Sequence, residues 1–108
     1  MTQTIAIILR FREEEAGNFE RLFQVHIFPM WKQFEAAGKF IGASLSPVVD
    51  GSEMEGGIRE YILHVEVPSE KEHDEFDTQP AFQSFLDIVK PMQTGEPRVW
   101  IGETRFQV

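Results

Sequence analysis

Three histidines, one tyrosine and two tryptophans are the side chains to weigh first for chemistry, and the chain contains no cysteine. Disulfides, thiolate metal sites and a cysteine nucleophile are thereby excluded together. His26 falls in the helical series Phe19, Leu22, Phe23, His26, Ile27, Met30, Phe34, which places it on an apolar face one turn from Pro29. A histidine there is most often a core residue bonded to backbone or water; the functional alternative is a proton acceptor in a pocket. Tyr61 could present its hydroxyl to the same space or reach solvent. Trp31 and Trp100 could wall such a pocket, with Met30 and Phe82, although large aromatics more often pack than function. The candidate set is thus His26 and Tyr61 as catalytic groups, and Met30, Trp31, Phe82 and Trp100 as substrate-binding groups.

The other two histidines read more plainly. His64 alternates onto a face with Glu66, where pairing with Glu66 or with Glu103 of a partner copy is the simple outcome. His73 and Asp77 are four apart on a helical stretch, a spacing that metals use. With two ligands on an acidic turn and no third in sight, the pair reads as a solvated face, so no metal is expected. No Ser-His-Asp order, phosphate-binding glycine loop or dinucleotide fingerprint is present.

Positioning these groups takes a fold, and 108 residues suffice for a single domain spanning 1–108 with one core. A formal net charge of -8 argues against nucleic acid or an anionic membrane as partner, since both call for a basic face. No run approaches the roughly 18 apolar residues of a membrane span. The opening Met-Thr-Gln-Thr lacks the basic and apolar stretches of a signal peptide, so a cytoplasmic location is expected.

Residues 4–12 (TIAIILRFR) alternate as a strand, with Ile5, Ile7, Leu9 and Phe11 on one side. Glu13-Glu14-Glu15 marks a helix start, where negative side chains suit the positive end of the dipole. Val25, Phe28 and Trp31 add a second apolar stripe to this helix, suggesting that it meets a partner or ligand as well as a sheet. Pro29 predicts a kink or break, and Ala37-Gly38 a stop. Residues 40–49 form a second strand, kept to an edge or an end by Pro47. A loop follows at 50–57, then a third strand at 58–67 with Tyr61, Leu63, Val65 and Val67 on one side. Pro68-Ser69 opens a second helix, broken near Thr78-Gln79-Pro80 and stopped at Lys90-Pro91, with Phe82, Phe85, Leu86 and Val89 on one face. Residues 98–108 close the chain as a fourth strand.

The order strand, helix, strand, strand, helix, strand predicts an α+β, ferredoxin-like four-stranded antiparallel sheet with both helices on one face. The opposite face would carry Ile8, Ile62 and Ile101, or the alternate row, among Arg10, Arg12, His64, Glu66, Glu103 and Arg105. A monomer would leave those isoleucines wet, so a homodimer with paired sheets is expected.

The run 76–85 (FDTQPAFQSF), then Val89-Lys90-Pro91-Met92, resembles the dimeric α+β barrel superfamily, closest to its antibiotic-biosynthesis-monooxygenase-like members. The proline-interrupted first helix running into Ala36-Ala37-Gly38-Lys39-Phe40-Ile41-Gly42 is similar to that group too. The resemblance implies sheets that pair into a barrel, and a cofactor-independent monooxygenase-like enzyme. It also has departures. Ala81 stands where many such members have histidine, and Gln79-Pro80-Ala81-Phe82 replaces the histidine-proline-x-histidine motif of cyclase-like members. The general base such a cyclase would use is therefore missing. Phe76 and Leu86 occupy the positions that best match the tryptophan and iron-ligating histidine of haem-degrading members, so haem chemistry is disfavoured.

Two readings follow. One is an enzyme that needs no cofactor and acts on an aromatic or polyketide-like substrate between helices and sheet. The other is a non-catalytic homodimer that binds a small apolar ligand or serves as an accessory subunit. They part on whether His26 and Tyr61 share a cavity of roughly 300 Å³ or more.

Overall fold

The alternating opening stretch forms β1 (Gln3–Arg12), and the computed structural model, which describes residues 1–108, pairs it on both sides. The helical region that follows is α1 (Glu13–His26) and α2 (Phe28–Ala36); then come β2 (Gly42–Pro47) and β3 (Ile58–Val67). The second helical region is α3 (Glu70–Asp77) and α4 (Pro80–Val89), ending in a 3₁₀ turn at Lys90–Met92 before β4 (Arg98–Glu103). The strands lie in the order β2-β3-β1-β4, every neighbour antiparallel, which is the ferredoxin-like arrangement. β2 is an edge strand, as its proline requires.

Register decides which side chains meet the helices. Ile5 lies opposite Val65, Ile7 opposite Leu63 and Leu9 opposite Tyr61, so the apolar rows of β1 and β3 share one face. Above them pack Phe19 and Phe23 of α1, Trp31 and Phe34 of α2, Phe76 of α3, and Phe85 and Val89 of α4, all buried. Rings run through this layer in series: Phe11 stacks on Phe19 at 4.1 Å, Phe23 meets Trp31 edge-on at 4.9 Å, and Phe34 meets Phe76 at 5.1 Å. Such pairs add about 0.5–1.5 kcal/mol each beyond their burial.

The break expected near Pro29 is present, at Ile27. Pro29 has no N–H for the Val25 carbonyl and its ring crowds that carbonyl, so the break falls before the proline, which then sits in the first turn of α2. Two other expectations fail, each for a local reason. With the helix interrupted there, the second stripe divides. Trp31 enters the core at 6% exposure, while Val25 (61%) and Phe28 (43%) face outward. The second departure is the parity of β4, which also ends at Glu103 rather than 108. Ile101 lies opposite Ile5, and Trp100 opposite Ala6. Ile101 and Glu103 therefore share the helix-side parity, and Trp100 joins Ile8, Ile62 and His64 on the open face of the sheet.

Candidate functional site

The helix α3 is short, and its place above the sheet is fixed mainly at its C-terminal end. Its last carbonyls gain side-chain donors beside the capping backbone N–H of Thr78. The Thr78 hydroxyl donates to the Asp74 carbonyl at 3.0 Å, the Gln79 amide to that of Glu75 at 3.0 Å, and the Gln83 amide to that of Asp77. Lys39, just past α2, forms an ion pair with Glu75. Phe76 points down between Phe34, Phe40 and Phe82. On a helix, burying Phe76 carries His73, three residues before it, toward the same side, and Asp77 lies one turn beyond His73, within reach of it.

Between the helices and the sheet lies a cavity of about 150 Å³, walled by 22 residues of which 18 are hydrophobic. Ile7 and Leu9 of β1 and Leu63 and Val65 of β3 make its floor; Phe19, Phe23, Trp31, Phe82, Phe85 and Leu86 belong to its helical walls. Only three lining side chains are polar: His73, Asp77 and Gln93. His73 Nε2 lies 3.0 Å from Asp77 Oδ2, with the imidazole side chain 18% exposed. Burial raises the Asp77 carboxyl above its usual range; His73 opposes that shift and the nearby Asp74 adds to it. Gln93 Oε1 is buried without a hydrogen-bond partner. An apolar chamber with a few converging polar groups is the ordinary form of a small-molecule site.

The six residues singled out from the sequence divide unevenly. Trp31 and Phe82 line the cavity. Met30 packs half-buried against the core without lining it. Trp100 is 57% exposed on the open sheet face, where the β4 register puts it. His26 is exposed at the last position of α1, while its neighbour Ile27 turns into the core. Tyr61 is fully buried, but its hydroxyl donates to Glu20 and it does not line the cavity. Desolvation, then the Glu20 carboxylate, push that phenol well above its ordinary value, so it stays a neutral donor. The cavity also falls below the size expected for a chamber shared by His26 and Tyr61. Phe76 and Leu86 line it as apolar walls.

The polar groups that do meet at the cavity are weakly marked in the sequence. His73 and Asp77 sit among acidic neighbours and read as solvated, yet Phe76, at i+3 from His73, already marks the face they occupy. Gln93 carries no such signal. Its placement comes from the Phe11–Gln93 bridge, a contact between distant parts of the chain.

No family model and no curated protein matches this sequence. Solved structures do. Rv0793 from Mycobacterium tuberculosis matches with a TM-score of 0.78 at 17% identity, over 99% of this chain and 98% of its own. A candidate antibiotic biosynthesis monooxygenase from Nitrosomonas europaea matches with a TM-score of 0.76 at 8% identity, over 95% of this chain and 89% of its own. A dimeric protein of unknown function and ferredoxin-like fold from Bacteroides fragilis gives 0.65 at 14% identity, over 95% and 96%. At these identities the likeness is one of fold, and many of the structures sharing it are antibiotic-biosynthesis-monooxygenase-like, as the resemblance implied. No helix is long and apolar enough to cross a membrane.

Proposed function

We propose that the protein takes one small apolar or aromatic molecule into the cavity between helices and sheet and acts on it as a homodimeric, cofactor-independent monooxygenase-like enzyme. In that scheme the deprotonated substrate itself reacts with oxygen, and the protein supplies a dry chamber and a group to hold the proton. The observation that carries the reading is the cavity: 18 hydrophobic lining residues with His73, Asp77 and Gln93 as its polar members. An apolar void of about 150 Å³ accepts one benzene-sized ring. The size therefore supports a single-ring substrate over a fused polyketide. The homodimer is supported by Ile62 and Trp100, exposed on the open sheet face, and by the dimeric state of the Bacteroides fragilis protein.

A second reading, a non-catalytic ligand-binding or accessory homodimer, is favoured by one fact. Neither His26 nor Tyr61 lines the cavity. The test uses purified protein, toluene and a set of single-ring phenols. A ligand-dependent rise in Tm with oxygen uptake on a phenol supports the enzyme. A rise in Tm without oxygen uptake supports the binder, and no rise with any of them removes both.

A further inference from the structure

We propose that His73 and Asp77 form a proton-accepting dyad for a single-ring ligand bearing an acidic hydroxyl, a phenol in chemical class, seated in the apolar cavity. The inference rests on the reading of that cavity as a small-molecule site.

The geometry sets the protonation pattern. A carboxylate can only accept, so the 3.0 Å contact between His73 Nε2 and Asp77 Oδ2 puts the imidazole proton on Nε2. The lone pair of neutral His73 is then on Nδ1. Gln93 Oε1, buried and without a partner, is a second acceptor. A plain hydrocarbon would leave that oxygen unpaired. A ligand hydroxyl is the complementary group. A carboxylate ligand would instead bring negative charge toward Asp77. Among the lining residues His73 and Asp77 alone titrate, so the walls from β1, β3, β4, α1, α2 and α4 add no competing charge. Asp74 is the one further group acting on Asp77.

The step is a proton transfer. The ligand O–H bond breaks, an N–H bond forms on Nδ1, and the oxygen keeps the electron pair. Nothing is oxidised. The product is a phenolate beside an imidazolium whose charge Asp77 offsets. A phenol suits this step better than an alkanol, whose hydroxyl is too weak an acid for imidazole. Asp77, acting through His73, is a positioning residue.

The experiment compares toluene, which reports the cavity alone, with 4-nitrophenol, whose absorption separates phenol from phenolate. In the wild-type protein, bound nitrophenol should ionise at a pH at least one unit below that of the free compound, a tenfold shift. His73→Gln should return the bound probe to the ionisation of the free one. Asp77→Asn should reduce the shift without abolishing it. If toluene binds and bound wild-type nitrophenol shows no shift, the dyad is wrong and the cavity reading stands. If neither compound binds, both fall. The wild-type titration decides the matter even where a variant folds poorly.

Discussion

Tyr61 on β3 and Glu20 on α1 are joined by a hydrogen bond of 2.5 Å from the phenol to the carboxylate, which ties the sheet to the outer side of the first helix. Phe19 packs against the same ring at 5.1 Å. Tyr61→Phe keeps that packing and removes only the bond. Because Glu20 is exposed and water can replace the phenol, the expected loss is about 1 kcal/mol in urea unfolding. Toluene affinity should stay within about twofold, since the hydroxyl does not face the cavity.

The same phenol has a pH signature. Its ionisation is raised in the fold, so its contribution is complete below about pH 10, where the unfolded chain also keeps the proton. Above that the unfolded chain loses the proton first, and stability drains away with rising pH. Wild-type stability should fall more steeply above pH about 10 than that of Tyr61→Phe, measured by urea unfolding across the range.

Asp77 gives the effect at the acid end. Its carboxyl is also raised, so the folded state holds the proton more tightly than the unfolded chain. The contribution is present below the ordinary carboxyl pKa of about 4 and is lost as pH rises through the raised value. Asp77→Asn removes that loss. The stability of the variant relative to wild type should therefore be greater at pH 7 than at pH 4, a difference that urea unfolding at the two values would read.

Filling the cavity should separate binding from folding. Val89 on α4 is buried and lines the chamber. In a tightly packed core, Val89→Phe would cost about 1–3 kcal/mol through overpacking. Here the new ring has a void to enter, so the cost should stay below about 1 kcal/mol while toluene affinity falls at least tenfold. Calorimetric titration and urea unfolding on one preparation would test both.

The open sheet face predicts assembly. Ile62 is 43% exposed there, with Ile8 opposite it across the β1–β3 pair. Ile62→Glu should turn a dimer into a monomer at micromolar concentration in native mass spectrometry, with a native far-ultraviolet spectrum. A wild-type protein that is already monomeric would remove the paired-sheet proposal.

The fold was legible because both of its periods are written into the chain. Ile5, Ile7, Leu9 and Phe11 alternate, and Phe82, Phe85, Leu86 and Val89 recur by helical turns; each pattern has one way to meet the other. The site was less legible because its residues depend on events between elements. His26 faces solvent at the end of α1, one residue before the break at Ile27, although its neighbours in the apolar series are buried. Trp100 changed sides on the parity of β4, which only its pairing with β1 determines. His73 and Asp77 sit on a strongly charged helix, and only the packing of Phe76 over the sheet brings them to an apolar chamber.

The strand order β2-β3-β1-β4 also bears on how the chain emerges from the ribosome. β1 is central, and its two neighbours arrive at different times. β3 can pair with it once residue 67 has emerged, together with α1 and α2. Its other edge stays bare until residues 98–103 follow, after α3 and α4. During that interval the nascent protein offers an uncovered, hydrophobic strand to any neighbour able to add to it. Val99, a cavity-lining residue that pairs with Ile7, belongs to the strand that ends this exposure. Completion of the chamber and protection of the nascent sheet from aggregation are thus the same late event in synthesis.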